Sequence, residues 1–252
     1  MAVDDPVLYN NWWVYLRYYI GSTYLNPNDM QIHNAYLIRS ALKQQGYTDC
    51  SIAGIIGNWQ VESGLTPGAL DTHLSVLPDN GEHLALLTNQ VMLGYCNYSV
   101  PDERGYGTGL AQWDRGVSSA SPQGNVVASF AIRNNMEWYD GNLQMMRLEA
   151  EYQADLLNPG LFWKYYWSAD MSWQAYKNLD DEESPILQAR QCANIWASCF
   201  EVSDASPSAR ERRMDNAAFW YEYFQQYPIP KTIMFLLMAN NKPKLYKPQK
   251  KG

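Results

Sequence analysis

The chain has 252 residues, 46% of them hydrophobic and 18% charged, with a formal net charge of −7. That length fits one domain with appendages, or at most two small domains, and it can bury a core without disulfides or metals. Six lysines and no acid lie between 231 and 252, which leaves 13 of the 19 basic residues against all 26 acids elsewhere, a net of −13 that argues against nucleic-acid readout.

Residues 1–27 are aromatic and Asn-rich, with Tyr9, Trp12, Trp13, Tyr15, Tyr18 and Tyr19, and read as an arm or first helix. They contain no basic-then-apolar targeting pattern, and the longest apolar run, 233–239, is too short to span a bilayer. Asn28 is a predicted cap for a helix running to about Gln45, with Gly46 as its stop. Thr48 or Asp49 caps a second helix, whose wide apolar face holds Ile52, Ala53, Ile55, Ile56 and Trp59. It ends near Glu62, because Ser63-Gly64 and then Pro67-Gly68 break the periodicity.

Turn signals crowd the next stretch: Pro78-Asp79-Asn80-Gly81, Pro101-Asp102, Gly105 and Gly107. A short helix is predicted within it at about 82–92. Helical periodicity returns at 143–157 and again at 163–179. Ser184-Pro185 starts a helix reaching Phe200, and Ser208 with Glu211 forms a capping box for a last helix through about Tyr227. The pattern predicts a mainly α chain with one small β/loop lobe, an α+β arrangement. The domain reading is an arm at 1–27, a main domain at 28–228 with a lobe at about 69–104, and a hydrophobic and basic tail at 229–252.

Cofactor chemistry finds no support in the sequence. It has no CxxC or HExxH, and its only histidines are His33, His73 and His83. The four cysteines are expected to be buried thiols, since Cys192 and Cys199 lie two helical turns apart. No metal and no cofactor is predicted.

Two clusters carry chemistry. Glu62 falls in the last turn of an apolar helix, where the partial negative charge of the helix end and the apolar surroundings both disfavour a charged carboxylate. A carboxyl held protonated is what glycoside cleavage needs to protonate a leaving oxygen. An ordinary exposed glutamate at a helix end is the alternative. The second cluster, Gly105-Tyr106-Gly107-Thr108-Gly109-Leu110-Ala111-Gln112-Trp113, combines close backbone approach with an amide and a stacking ring. A tight turn carrying a core tryptophan is the alternative there. Trp59, Trp196 and Trp220 lie on apolar helix faces and are predicted core.

In order along the chain, Asn34-Ala35-Tyr36-Leu37-Ile38, then Ile52 to Ser63 with Pro67-Gly68, then Gly105-Tyr106-Gly107 and Gly109-Leu110-Ala111-Gln112-Trp113 resemble the phage tail lysozyme family. Ala197-Ser198-Cys199-Phe200-Glu201, and then Arg213, Asp215 and Phe219-Trp220-Tyr221, continue the likeness. It spans roughly residues 28–227 and is similar to the N-terminal domain of tail-knob peptidoglycan-degrading proteins of short-tailed phages. The resemblance implies a lysozyme-like fold that cuts glycan strands of the bacterial wall as the genome enters. It places the catalytic acid on Glu62 and lines the glycan groove with Tyr106, Gly107, Gln112 and Trp113. Glu201 and Arg213 match family positions and are expected to pair, bracing the last two helices.

Asp71 is the first candidate for a second carboxylate, ahead of Asp79, Glu82, Asp102, Glu103 and Asp114. The implied activity is that of a muramidase. A lytic transglycosylase shares the Glu-Ser and Gly-Leu-x-Gln elements, but its Ala-Tyr-Asn-Ala-Gly-like stretch is absent. A non-catalytic tail-tip plug would have no use for the acid. The implied partners are peptidoglycan and other tail proteins, the latter through the arm and the C-terminal tail. The implied location is the virion tail, after synthesis in the host cytoplasm.

Overall fold

The computed structural model describes residues 7–8, 14–15, 29–69, 88–95, 107–113, 126–157, 167, 171–201 and 206–228. Within them the chain is mostly helical, and the site is built around one buried helix. Strands β1 (Val7–Leu8) and β2 (Val14–Tyr15) pair antiparallel, so the described part of the arm is extended, not helical. Helix α1 (Asp29–Gln44) follows and ends as predicted, with Gly46 at φ +86°. That left-handed conformation costs glycine little.

Helix α2 (Asp49–Ser63) is the centre of the fold. Thr48 is its N-cap, accepting a hydrogen bond from the Ser51 backbone at 3.2 Å, and Gly64 closes it in the left-handed conformation. Every residue from Cys50 to Gln60 is buried, as in a helix covered on all sides. Its neighbours are α1 and, more extensively, α7 (Pro185–Cys199) and α8 (Pro207–Gln226).

Two glycines explain how α7 and α8 come so close. A Cβ on Gly54 would stand 2.7 Å from Cys192 Cβ and 2.8 Å from the Ala193 nitrogen, on α7. One on Gly57 would stand 2.7 Å from the Arg213 carbonyl oxygen, on α8. Each glycine costs its helix up to about 1 kcal/mol relative to alanine, and the close backbone contact offsets it. Buried polar groups on α2 are tied off outward: Asn58 donates to the Ala193 carbonyl at 2.9 Å, and Gln60 accepts from the Trp220 indole at 2.8 Å.

The remaining helices form a second group beside this one. Helices α3 (Asn89–Tyr95) and α4 (Val126–Asn134) pack together, and α4 leads into α5 (Gly141–Leu157). Helix α6 (Trp173–Lys177) is a single short piece. Aromatic rings join the groups, with Trp167, Trp173, Tyr176, Trp196 and Phe200 in mutual contact. The predicted core rings Trp59, Trp196 and Trp220 are all fully buried.

Several sequence expectations are corrected here. Of the predicted helix at 163–179, residues 163–166 and 168–170 lie outside the described residues; among the described ones α6 is the helical part, starting where Ser172, with extended backbone, caps it from its side chain. The predicted helix at 82–92 lies partly outside the described residues, and the described helix begins at Asn89. Helix α4 is an element without a sequence prediction, although Val127, Phe130 and Ala131 follow helical spacing and are buried. The β part of the small lobe is not shown. Among the described residues from 88 to 113, the only β pairing is the isolated bridge between Thr108 and Trp113.

The last helix starts two residues earlier than the expected capping box implies. Ser206 is the N-cap, accepting from the Ala209 backbone at 3.3 Å, with Pro207 at the first position. Glu211 turns instead to Arg190 on α7. Ser206→Ala is therefore expected to lower stability by about 1 kcal/mol, while Ser208→Ala changes it by less than about 0.5 kcal/mol. Urea unfolding of both variants measures the difference, and equal losses would assign the cap wrongly.

Candidate active site

Glu62 stands in the last turn of α2, where Gly64 and then Leu65, both at positive φ, turn the chain away. Its side chain is 22% exposed and its Oε1 accepts a hydrogen bond from the Arg213 guanidinium of α8. Arg213 is itself buried and donates a second hydrogen bond to the Ala209 carbonyl at 3.3 Å. The close crossing at Gly57, set against the Arg213 backbone, is what delivers this guanidinium to the end of α2. The expectation that Arg213 pairs with Glu201 is thus corrected. Glu201 Oε1 instead accepts from the indoles of Trp59, at 3.2 Å, and Trp196, at 2.9 Å.

From the sequence, the helix end and the apolar neighbours are the legible surroundings of Glu62. The structure adds a cation against one of its oxygens. The same carboxyl therefore has a positioned partner in a charge-assisted hydrogen bond.

The Gly-rich segment forms a closed turn. Thr108 and Trp113 exchange backbone hydrogen bonds at 3.0 and 2.9 Å, and Gly109 sits at φ +76°. Gln112 is held at φ +45°, its side-chain amide donating to the Gly109 carbonyl at 2.9 Å. A non-glycine residue in that region is strained, and such strain collects at functional sites. Gly107 leaves space that Gln112 fills: a Cβ there would meet the Gln112 Cβ and Oε1, each at 2.8 Å.

This turn is docked beside the end of α2. The Gly109 N–H donates to the Ala69 carbonyl at 2.8 Å, and the Trp113 ring lies 6.2 Å from that of Trp59, one helical turn before Glu62. Trp113 is only 2% exposed, and its indole donates to Glu151 Oε2 at 3.3 Å. Its ring thus braces the turn from inside the core, and Gln112 is the partly exposed member of the pair. Tyr106 and Asp71 lie outside the described residues, as do Asp79, Glu82, Asp102, Glu103 and Asp114.

Two contributors were missed from the sequence. Gln144 and Glu151, seven residues apart on α5, are buried on one face and hold the turn at Leu110 and at Trp113. Glu151 is also paired with Arg147 at 2.5 Å. The available signal was two polar residues recurring at a two-turn spacing with Leu148 between them, on a face that otherwise turns inward.

Other chemistries have little footing among the described residues. Burial pushes the Cys50 thiol up to about 12, with the Asp180 carboxylate adding to it, and burial pushes Cys192 up to about 11. Neither supplies a thiolate at neutral pH. No group of three or more His, Cys, Asp or Glu side chains among the described residues is placed to hold a metal ion. No described helix is long and apolar enough to cross a membrane. A family model described as phage tail lysozyme matches residues 33–224, a span that runs from within α1 to near the end of α8 and includes Glu62 and the Gly-rich turn.

Proposed function

The chain belongs to the phage tail lysozyme family, and from that premise we propose that it is a muramidase whose general acid is Glu62. Membership of the family points to a peptidoglycan-degrading enzyme of a phage tail. The observation that carries the finer reading is the setting of Glu62. It is a partly exposed carboxyl at the end of a largely buried helix, engaged by one buried guanidinium, with a hydrogen-bonded turn docked alongside through Trp59 and Trp113.

In this reading Glu62 gives a proton to the oxygen bridging two amino sugars. The bond from that oxygen to the anomeric carbon breaks, and an oxocarbenium-like centre is left behind. Water then adds to the carbon, and its proton returns to a carboxylate. Asp71 is the proposed second carboxylate, stabilising the positive centre or activating the water. Arg213 orients Glu62 so that its free oxygen points toward the sugar. Tyr106, Gly107 and Gln112 contact the glycan, and Trp113 fixes Gln112 from below. The enzyme travels in the virion tail and opens the wall as the genome enters. Attachment to the tail supplies a high local concentration, which offsets the poor attraction between an acidic domain and an anionic wall.

The products decide the reaction class. Digestion of purified peptidoglycan is expected to release muropeptides with hydrated reducing ends at muramic acid, read by mass spectrometry after borohydride reduction. Anhydro-muramyl ends would instead identify a lytic transglycosylase, in which Glu62 alone serves as acid and base. Absence of any cleavage would leave a structural tail protein that has kept the fold.

A further inference from the structure

Gln144 is fully buried in the middle of α5, where a primary amide is costly unless each polar atom is satisfied. Here its Oε1 accepts from the Leu110 backbone at 2.8 Å, and its Nε2 donates to the carbonyls of Pro67 at 2.8 Å and Trp138 at 2.9 Å. One partner is a donor and two are acceptors, so only one orientation of the amide fits. Three chain segments distant in sequence thereby meet at one side chain: the turn after α2, the Gly-rich turn, and the approach to α5.

The Gly-rich turn is shaped to receive this amide. A Cβ on Gly109 would lie 2.6 Å from Gln144 Oε1 and 2.7 Å from its Cδ and Nε2. Gly109 is thus required twice, by its positive φ and by the amide lying against its Cα. Its own N–H bonds Ala69, two residues past the Pro67 that Gln144 holds. The two links lock the turn to the segment that directly follows Glu62. Gln112, strained at φ +45° and hydrogen-bonded to Gly109, inherits its position from them.

We propose that Gln144 is a positioning residue for substrate: it holds the Gly107–Trp113 turn in register with Glu62, so that Gln112 meets the glycan at a fixed distance from the acid. This rests on the muramidase reading. Gln144 touches no substrate and takes no part in proton transfer; its effect passes through Leu110 and Gly109. Sites must be held to within about 0.5 Å by such supporting hydrogen bonds, and a displacement of about 1 Å is enough to lose most of the benefit.

The test uses the full chain and a soluble glycan tetrasaccharide prepared from peptidoglycan, with kcat and KM measured for wild type, Gln144→Met and Gly109→Ala. Gln144→Met keeps length and burial but removes all three hydrogen bonds, while Gly109→Ala disturbs the same contact from the other side with Gln144 intact. In both, KM is expected to rise by about tenfold with kcat changed by less than about threefold, because the ligand-facing turn moves while Glu62 and Arg213 do not. A merely structural role lowers the thermal midpoint and leaves KM where it was. Unchanged KM in either folded variant overturns this inference and leaves the muramidase reading standing. A wild-type protein that neither cleaves nor binds the tetrasaccharide overturns both.

Discussion

Glu62→Gln is expected to cut the clearing of purified peptidoglycan by about 10²–10⁴-fold, the range lost when a general acid is removed. Glutamine keeps the shape of the side chain and an oxygen able to accept from Arg213, so the end of α2 and its contact with α8 persist. What disappears is the transferable proton. The substitution also exchanges the carboxyl that pairs with a buried guanidinium for a neutral amide, and weakening that hydrogen bond costs up to about 1.5–3 kcal/mol. Activity must therefore be expressed per folded molecule, with the thermal midpoint read in parallel. A zymogram in which the variant clears as fast as wild type would remove Glu62 from the mechanism. An equal loss of activity and folded protein would show only that the ion pair is structural.

The position of Glu62 was legible in the sequence because the signals bounding its helix are local. Thr48 and Gly64 act on hydrogen bonds within one turn of themselves, and both did what their residue types predict. The start of α8 was harder, since Ser206-Pro207 and Ser208 with Glu211 are competing local signals. The structure resolves them in favour of the proline, which fixes the first helical residue, and Glu211 is drawn off by Arg190. The partner of Arg213 was out of reach of such reasoning. Which carboxylate a buried guanidinium finds depends on how closely α8 approaches α2, and that distance is set by Gly57. Trp113 shows the same limit from another side: its spacing fits both a stacking face and a core ring, and only the packing of α5 against the turn makes it core. Gln144 and Glu151 went unnoticed because a polar residue in a helix is ordinarily solvent-facing. Their meaning lies in partners more than 30 residues away, the Leu110 backbone and the Trp113 indole.

Gly57→Ala separates stability from activity at this same crossing. In an isolated helix the change would stabilise by up to about 1 kcal/mol, so its sign here is decided by packing. The new methyl would stand 2.7 Å from the Arg213 carbonyl oxygen, 2.8 Å from the Ala217 nitrogen and 3.0 Å from the Ala217 Cβ. The first two are main-chain atoms, so no rotamer change makes room and α8 must shift. A net loss of about 1–3 kcal/mol is expected, the usual cost of overpacking. Gly54→Ala meets α7 as tightly, at 2.7 Å from Cys192 Cβ, and is expected to cost a similar amount. The two differ in what the displaced helix carries. Moving α8 shifts the Arg213 guanidinium off Glu62, whereas moving α7 leaves that pair in place. At matched folded fraction, Gly57→Ala should therefore retain about tenfold less peptidoglycan-clearing activity than Gly54→Ala, the scale of a lost orienting contact. Equal activities would mean that Arg213 holds the helices together without orienting the acid.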